Sequence, residues 1–174
     1  MRLMLLRHAK SEKIEPGMAD RARTLSARGR SDAPKLGAYM AHHALKPDLA
    51  IVSDAKRTRE TWERLSKAWP APPPVTYEDS LYNAGSDTIL DLVREDAGPA
   101  GALLVVAHNP GLHEVAKLLI ASGDVAARER LSEGLPTSGL LVIDFVGSDW
   151  HKLHPRSGRL ERFITPRLLR ADAD

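Results

Sequence analysis

Two histidines and two arginines stand in this chain where their side chains can act together. Arg7-His8 follows the apolar run Arg2–Leu6 directly. Ser53 closes a second apolar run, LAIVS, and Arg57 follows it by one helical turn. His108-Asn109 closes a third, ALLVVA. Two guanidiniums offer planar forks that match phosphate oxygens. A neutral imidazole can attack phosphorus and form a covalent phosphohistidine. A second imidazole, kept protonated, stabilises charge on the transferring group. Free N–H groups at a helix start after Asn109 would add to an anion site. Each residue alone has a plainer reading: a strand-end histidine satisfied within the structure, an arginine paired with a carboxylate or solvated on a helix. The chemistry rests on their joint placement.

That placement needs strands that end side by side. The sequence alternates strand-like and helix-like blocks. Arg2–Leu6, Leu49–Ser53, Ala102–Ala107 and Gly139–Phe145 read as strands, the last two buried by their unbroken apolar runs. Val75–Tyr77 reads as a short strand. Ser31–Leu45 reads as a helix, in which Pro34 fits only near the start and otherwise marks a kink. Ala55–Trp69 carries the stripe Ala55, Thr58, Trp62, Leu65, Trp69, with Ser53 or Asp54 as its cap. Ser86–Asp96 reads as a capped helix. Asn109 reads as the cap of another, with Pro110 at its first position and Leu112, Val115, Ala116, Leu119 and Ile120 facing inward. Trp150–Leu153 and Leu160–Ile164 are expected to form a closing antiparallel hairpin. Such alternation implies an α/β sandwich with a largely parallel sheet, whose ligands bind beyond the carboxyl ends of the strands.

Composition narrows the function classes. The chain has 174 residues, enough for one domain with a substantial core. Cysteine is absent, which removes disulfides, thiolate chemistry and cysteine-ligated zinc. No apolar run is long enough to span a membrane. The first residues do not read as a signal peptide, so a cytoplasmic setting is expected. A net charge of +2 does not point to nucleic acid. The basic stretch HKLHPRSGRLERFITPRLLR reads as a solvated tail. No loop follows the Walker A pattern.

LLRHAKSE resembles the Arg-His-Gly/Ala signature of the histidine phosphatase superfamily, also called phosphoglycerate mutase-like. SDAKRTRETW resembles its second block, with Ser53, Arg57 and Thr61 at four-residue spacing, and VVAHNPGL resembles its third. RHAKS, the short chain and the stretch RTLSARGRSDA are most similar to the SixA-type phosphohistidine phosphatase branch. The likeness runs from residue 1 to about 145.

The resemblance implies a three-layer sandwich over residues 1–174, with a mostly parallel central sheet flanked by helices. It implies His8 as the phosphorylated nucleophile, Arg7 and Arg57 as clamps on the phosphoryl oxygens, and His108 as a donor. Ser11 and Asn109 fall in a supporting, substrate-binding position. No metal and no other cofactor is implied. Larger relatives carry a proton-donating carboxylate where this chain has Asn83, in YEDSLYNAGS; Glu78 and Asp79 lie just upstream as candidate donors. The SixA-type branch also lacks an obvious acid there, which counts against mutase activity. His42-His43 read as surface residues, His113 as a possible border of the pocket, and His151 and His154 as structural or exposed. Lys13–Thr24 is a candidate partial lid.

The substrate implied is phosphohistidine on a protein. The alternatives are a small phosphorylated metabolite or, in another class, a phosphate-binding module without turnover. No nucleic-acid or membrane partner is expected.

Overall fold

Apolar residues fill both faces of the central strands, so those strands must be covered on both sides. The computed structural model describes residues 1–172 and does so with one seven-stranded sheet. Its strands are β1 (Arg2–Arg7), β2 (Leu49–Ser53), β3 (Val75–Glu78), β4 (Ala102–Ala107), β5 (Ile120–Gly123), β6 (Leu140–Phe145) and β7 (Gly158–Ile164). Their order is β3-β2-β4-β1-β6-β7-β5. The pairs β3-β2, β2-β4, β4-β1 and β7-β5 are parallel, whereas β6 runs antiparallel to both β1 and β7.

Side-chain alternation along each strand divides the core. Leu3, Leu5, Leu103 and Val105 pack with Ile89, Leu112, Val115 and Leu131. Met4, Leu6, Leu104 and Val106 pack with Leu36, Met40, Trp62 and Leu65. The first group is covered by α3 (Ser86–Asp96), α4 (Gly111–Leu119) and α5 (Val125–Glu133), the second by α1 (Ala27–His42), α2 (Lys56–Leu65) and α6 (Pro166–Ala171). The three-layer α/β sandwich with its mostly parallel sheet is the expected architecture. Among the described residues no helix is long and apolar enough to cross a membrane.

Several boundaries differ from the sequence expectation. α1 starts at Ala27, not Ser31, because the Ser26 hydroxyl caps it by accepting from the Gly29 N–H at 3.2 Å. Pro34 therefore lies inside the helix. Neither Ser53 nor Asp54 caps α2; Ala55 takes that position, and the Thr58 hydroxyl bonds the Ser53 and Ala55 carbonyls instead. α2 ends at Leu65 and tightens into a 3-10 turn, Ser66–Ala68. α3 starts after Gly85 without a side-chain cap. Ile120 leaves α4 to begin β5, and neither β5 nor α5 is anticipated from the sequence. Trp150–Lys152 is a 3-10 turn, so β7 finds its hairpin partner in β6. The basic C-terminal stretch is β7 followed by α6, not a solvated tail, and it buries Leu160 and Phe163.

Candidate active site

Strand register sets the site. Arg7 of β1 pairs with Ala107 of the parallel β4, so the next residues, His8 and His108, emerge side by side. Their ring centroids are 5.4 Å apart. Val52 of β2 pairs with Val106, which brings Ser53 beside the end of β4. The three strand ends open onto a cavity of about 290 Å³ whose wall includes Arg7, His8, Arg57 and His108.

His8 is buried, at 6% exposure. Its Nδ1 lies 2.8 Å from the Ala9 carbonyl oxygen. A carbonyl can only accept, so Nδ1 carries the proton and Nε2 keeps its lone pair. Burial pushes the His8 pKa down to about 3, and His108, Arg57 and Arg7 add to the depression against the Ala9 hydrogen bond. The backbone behind the ring is fixed too. The Ala9 N–H donates to the Thr61 hydroxyl at 3.0 Å, and that hydroxyl donates to the Arg57 carbonyl at 2.7 Å. The Ser138 N–H, held at φ 57°, reaches the Arg7 and His8 carbonyls at 3.1 Å each.

His108 is bonded at both nitrogens. Arg57 has only donors, so its Nη2 donates to His108 Nδ1 at 3.3 Å. His108 Nε2 then carries the ring proton and donates to the Ser53 hydroxyl at 2.7 Å. Burial first, and then the Arg57 charge, pushes His108 down to about 4. It is therefore a neutral acceptor of Arg57 here, not the standing imidazolium expected from sequence.

The two guanidiniums are held differently. Arg7 Nη1 donates to the Leu135 carbonyl at 3.1 Å, and among the described residues no carboxylate pairs with Arg7. Burial, and then Arg57, lowers its pKa. Arg57 is 4% exposed and donates to the Asp20 backbone carbonyl at 3.0 Å and its carboxylate at 3.2 Å. The Nε atoms of both arginines are buried with no acceptor in the protein. A buried and a half-buried cation with donors to spare form a receptor for a tetrahedral oxyanion.

Asp20 comes from the Lys13–Thr24 segment and also accepts from Tyr82 Oη and from Arg23 Nε at 2.9 Å. The Tyr82 hydrogen bond, followed by Arg57 and Arg23, lowers the Asp20 pKa. The segment closes at its base through the Glu12 N–H on the Thr24 carbonyl at 2.9 Å. Ser11, Glu12, Lys13 and Arg23 line the cavity. Neither Asp20 nor Tyr82 was read from sequence; they meet across 62 residues with no periodic signal to mark them.

Ser11 lies on the cavity wall, its hydroxyl accepting from Arg23 at 3.3 Å. Asn109 is there too, but it caps nothing. Its amide donates to the Leu135 carbonyl at 2.8 Å, α4 starts after Pro110, and the Leu112 N–H is taken by the His108 carbonyl. The expected free N–H group at Leu112 is thus already satisfied. Asn83 does line the cavity, whereas Glu78 and Asp79 do not. Asp79 is exposed and pairs with Arg21 of the Lys13–Thr24 segment. Among the described residues, Glu12 is the acidic residue that lines the cavity. His113 donates to the Leu131 carbonyl at 2.6 Å and borders a neighbouring groove. His42, His43, His151 and His154 are exposed and away from the site. Among the described residues no group of three or more His, Asp or Glu side chains is placed to hold a metal ion.

Residues 3–86 match the profile described as histidine phosphatase superfamily (branch 1). An uncharacterised protein of Mycobacterium tuberculosis, Rv1276c, is 33% identical over 164 residues, spanning 93% of this chain and 100% of that one. A solved structure from Agrobacterium tumefaciens, provisionally assigned as phosphohistidine phosphatase SixA, is 31% identical. It superposes with a TM-score of 0.81 over 95% of this chain and 97% of that one. The protein histidine phosphatase SixA complexed with tungstate shares the fold, with a TM-score of 0.71 at 18% identity over 97% and 99% of the two chains. The chain belongs to the histidine phosphatase superfamily, in its SixA-type branch.

Proposed function

We propose that the chain is a metal-independent phosphatase that forms a covalent phosphohistidine at His8 and acts on phosphohistidine carried by a protein, with residues 1–174 working as one domain. The observation that carries this reading is the buried, neutral His8, its proton held on Nδ1 by Ala9. Nε2 attacks phosphorus while the bond from phosphorus to the substrate imidazole breaks. The leaving nitrogen takes a proton from solvent. Water then attacks the phosphorus on His8, inorganic phosphate departs, and the proton returns to solvent. Arg7 and Arg57 hold the phosphoryl oxygens as charge builds on them. An entering phosphoryl dianion supplies the negative charge that His108 lacks in the free site. His108 then takes a proton on Nδ1, and Arg57 turns its donor to the phosphate.

A small-molecule phosphomonoesterase is the second reading, favoured by the Glu12 carboxylate on the cavity wall. An alkoxide needs a proton as it leaves, and an imidazole does not need one from the protein. The test offers the purified chain free phosphohistidine, phosphohistidine-bearing carrier proteins and a panel of phosphorylated metabolites. The highest kcat/KM is expected on a phosphohistidine protein. A metabolite turned over faster than all of them overturns the substrate assignment.

A further inference from the structure

Beside the catalytic cavity lies a wider groove of about 970 Å³. The two share the lining residues Arg7, Lys10, Asn109 and Thr137, so they adjoin. The groove wall carries Arg7, Lys10, Arg28, Arg130, Arg167 and Arg170 against two carboxylates, Asp32 and Glu133. Asp32 is already matched, with Arg170 at 3.5 Å and Arg28 at 3.8 Å. Arg130 rests over the Phe163 ring at 5.1 Å. Lys10 and Arg167 are exposed, and among the described residues their side chains have no protein partner. Between the cations, Pro136 and Leu168 present apolar surface. Phosphoryl transfer uses none of this beyond Arg7.

We infer that the groove receives an acidic segment bearing apolar side chains, next to the phosphohistidine of the protein substrate. The inference rests on the phosphatase reading and assigns the part of the substrate that the catalytic cavity cannot hold. A phosphoryl group and its imidazole fit a space of about 290 Å³. A metabolite of that size ends there, whereas a polypeptide continues past Arg7 into the groove. Excess positive charge attracts carboxylates, and the apolar strip gives leucine-like side chains a place to bury.

The test uses the full chain and three probes: free phosphohistidine, a phosphohistidine peptide flanked by Glu and Leu, and the same peptide with Lys for each Glu. The variants are Arg28→Glu/Arg167→Glu together and Arg167→Glu alone, the latter because Arg167 has no partner among the described residues to lose on folding. For the wild type, kcat/KM on the Glu peptide should exceed that on free phosphohistidine by about tenfold, mainly through KM, and the Lys peptide should fall below it. Charge reversal should bring the Glu peptide down to the level of free phosphohistidine, whose own turnover stays unchanged. Equal rates for the two peptides, or a parallel loss on all three probes, overturn the proposal. Inhibition by inorganic triphosphate that charge reversal abolishes, with the peptides indifferent, gives the groove to a small polyphosphate and overturns it too. If no probe is hydrolysed, the phosphatase reading fails separately. Fluorescence anisotropy of the unphosphorylated Glu peptide then decides the groove: binding lost on charge reversal supports it, and no binding rejects it.

Discussion

His8 Nδ1 lies 2.8 Å from the carbonyl oxygen of its own neighbour, Ala9, and that contact leaves Nε2 as the nitrogen able to attack. Burial holds the ring neutral down to about pH 3. An ordinary histidine would be mostly protonated at pH 5. With an aryl phosphate, and after allowing for the substrate's own second ionisation near about 6, kcat/KM should show no loss of nucleophile between pH 8 and pH 5. An enzyme ionisation near 6.5 that controls the rate would contradict the neutral-nucleophile geometry.

The same depression has a consequence for stability. His8 and His108 have folded pKa values near 3 and 4, below the value near 6.5 of an unfolded chain. Above pH 6.5 both states are neutral and these groups give no pH dependence. Below it the unfolded chain binds the protons first, so stability falls with falling pH until the folded-state values are reached. At pH 5 each histidine accounts for at most about 2 kcal/mol of loss. Thermal melts from pH 7.5 to pH 5 should show a drop in Tm that is smaller in His8→Ala and His108→Ala. An identical drop in both variants would place the acid sensitivity elsewhere.

Arg57 links the Lys13–Thr24 segment to the second imidazole, touching Asp20 and His108 at once. Arg57→Ala should lower kcat about a hundredfold or more, roughly 3 kcal/mol, and Arg7→Ala should do the same. Stability should change far less, because Asp20 keeps Tyr82 and Arg23. Lysine should rescue either position poorly, since a point charge cannot reproduce the fork. Removing Arg57 should also let the His108 pKa rise, which histidine NMR titration reads directly. Wild-type rates with lysine would remove the bidentate clamp.

Neither Glu78 nor Asp79 lines the cavity, and Asn83, which does, is no acid. Rates should therefore depend steeply on leaving-group pKa, with phosphoramidates and aryl phosphates fast and alkyl phosphates slow. Glu78→Gln and Asp79→Asn should leave that slope unchanged. Glu12→Gln is the informative third variant. If it alone abolishes alkyl phosphate turnover that matches the aryl rate, Glu12 is the general acid and the small-molecule reading gains.

The strands that carry the chemistry were legible because β1, β2 and β4 are unbroken apolar runs ending in polar residues. Their parallel order follows from the alternation of elements, and it brings Arg7, His8, Arg57 and His108 together. Other features left little local trace. Asn109 looks like a cap, but its half-buried amide donates to the Leu135 carbonyl, which also accepts from Arg7. β5 is four residues of mixed polarity and α5 has a weak apolar face, so neither announces itself. The Asp20–Tyr82 and Ser53–His108 contacts join residues 62 and 55 positions apart, which only the folded sheet places in reach.

Trapping the intermediate tests the central claim most directly. The wild type is mixed briefly with a radiolabelled phosphohistidine substrate, quenched in base and mapped by peptide mass spectrometry. The label should sit on His8 Nε2, be lost in acid and survive in base, and be absent from His8→Ala, which should fold but not turn over. An acid-stable label, a label on another residue, or full activity in His8→Ala would contradict the mechanism.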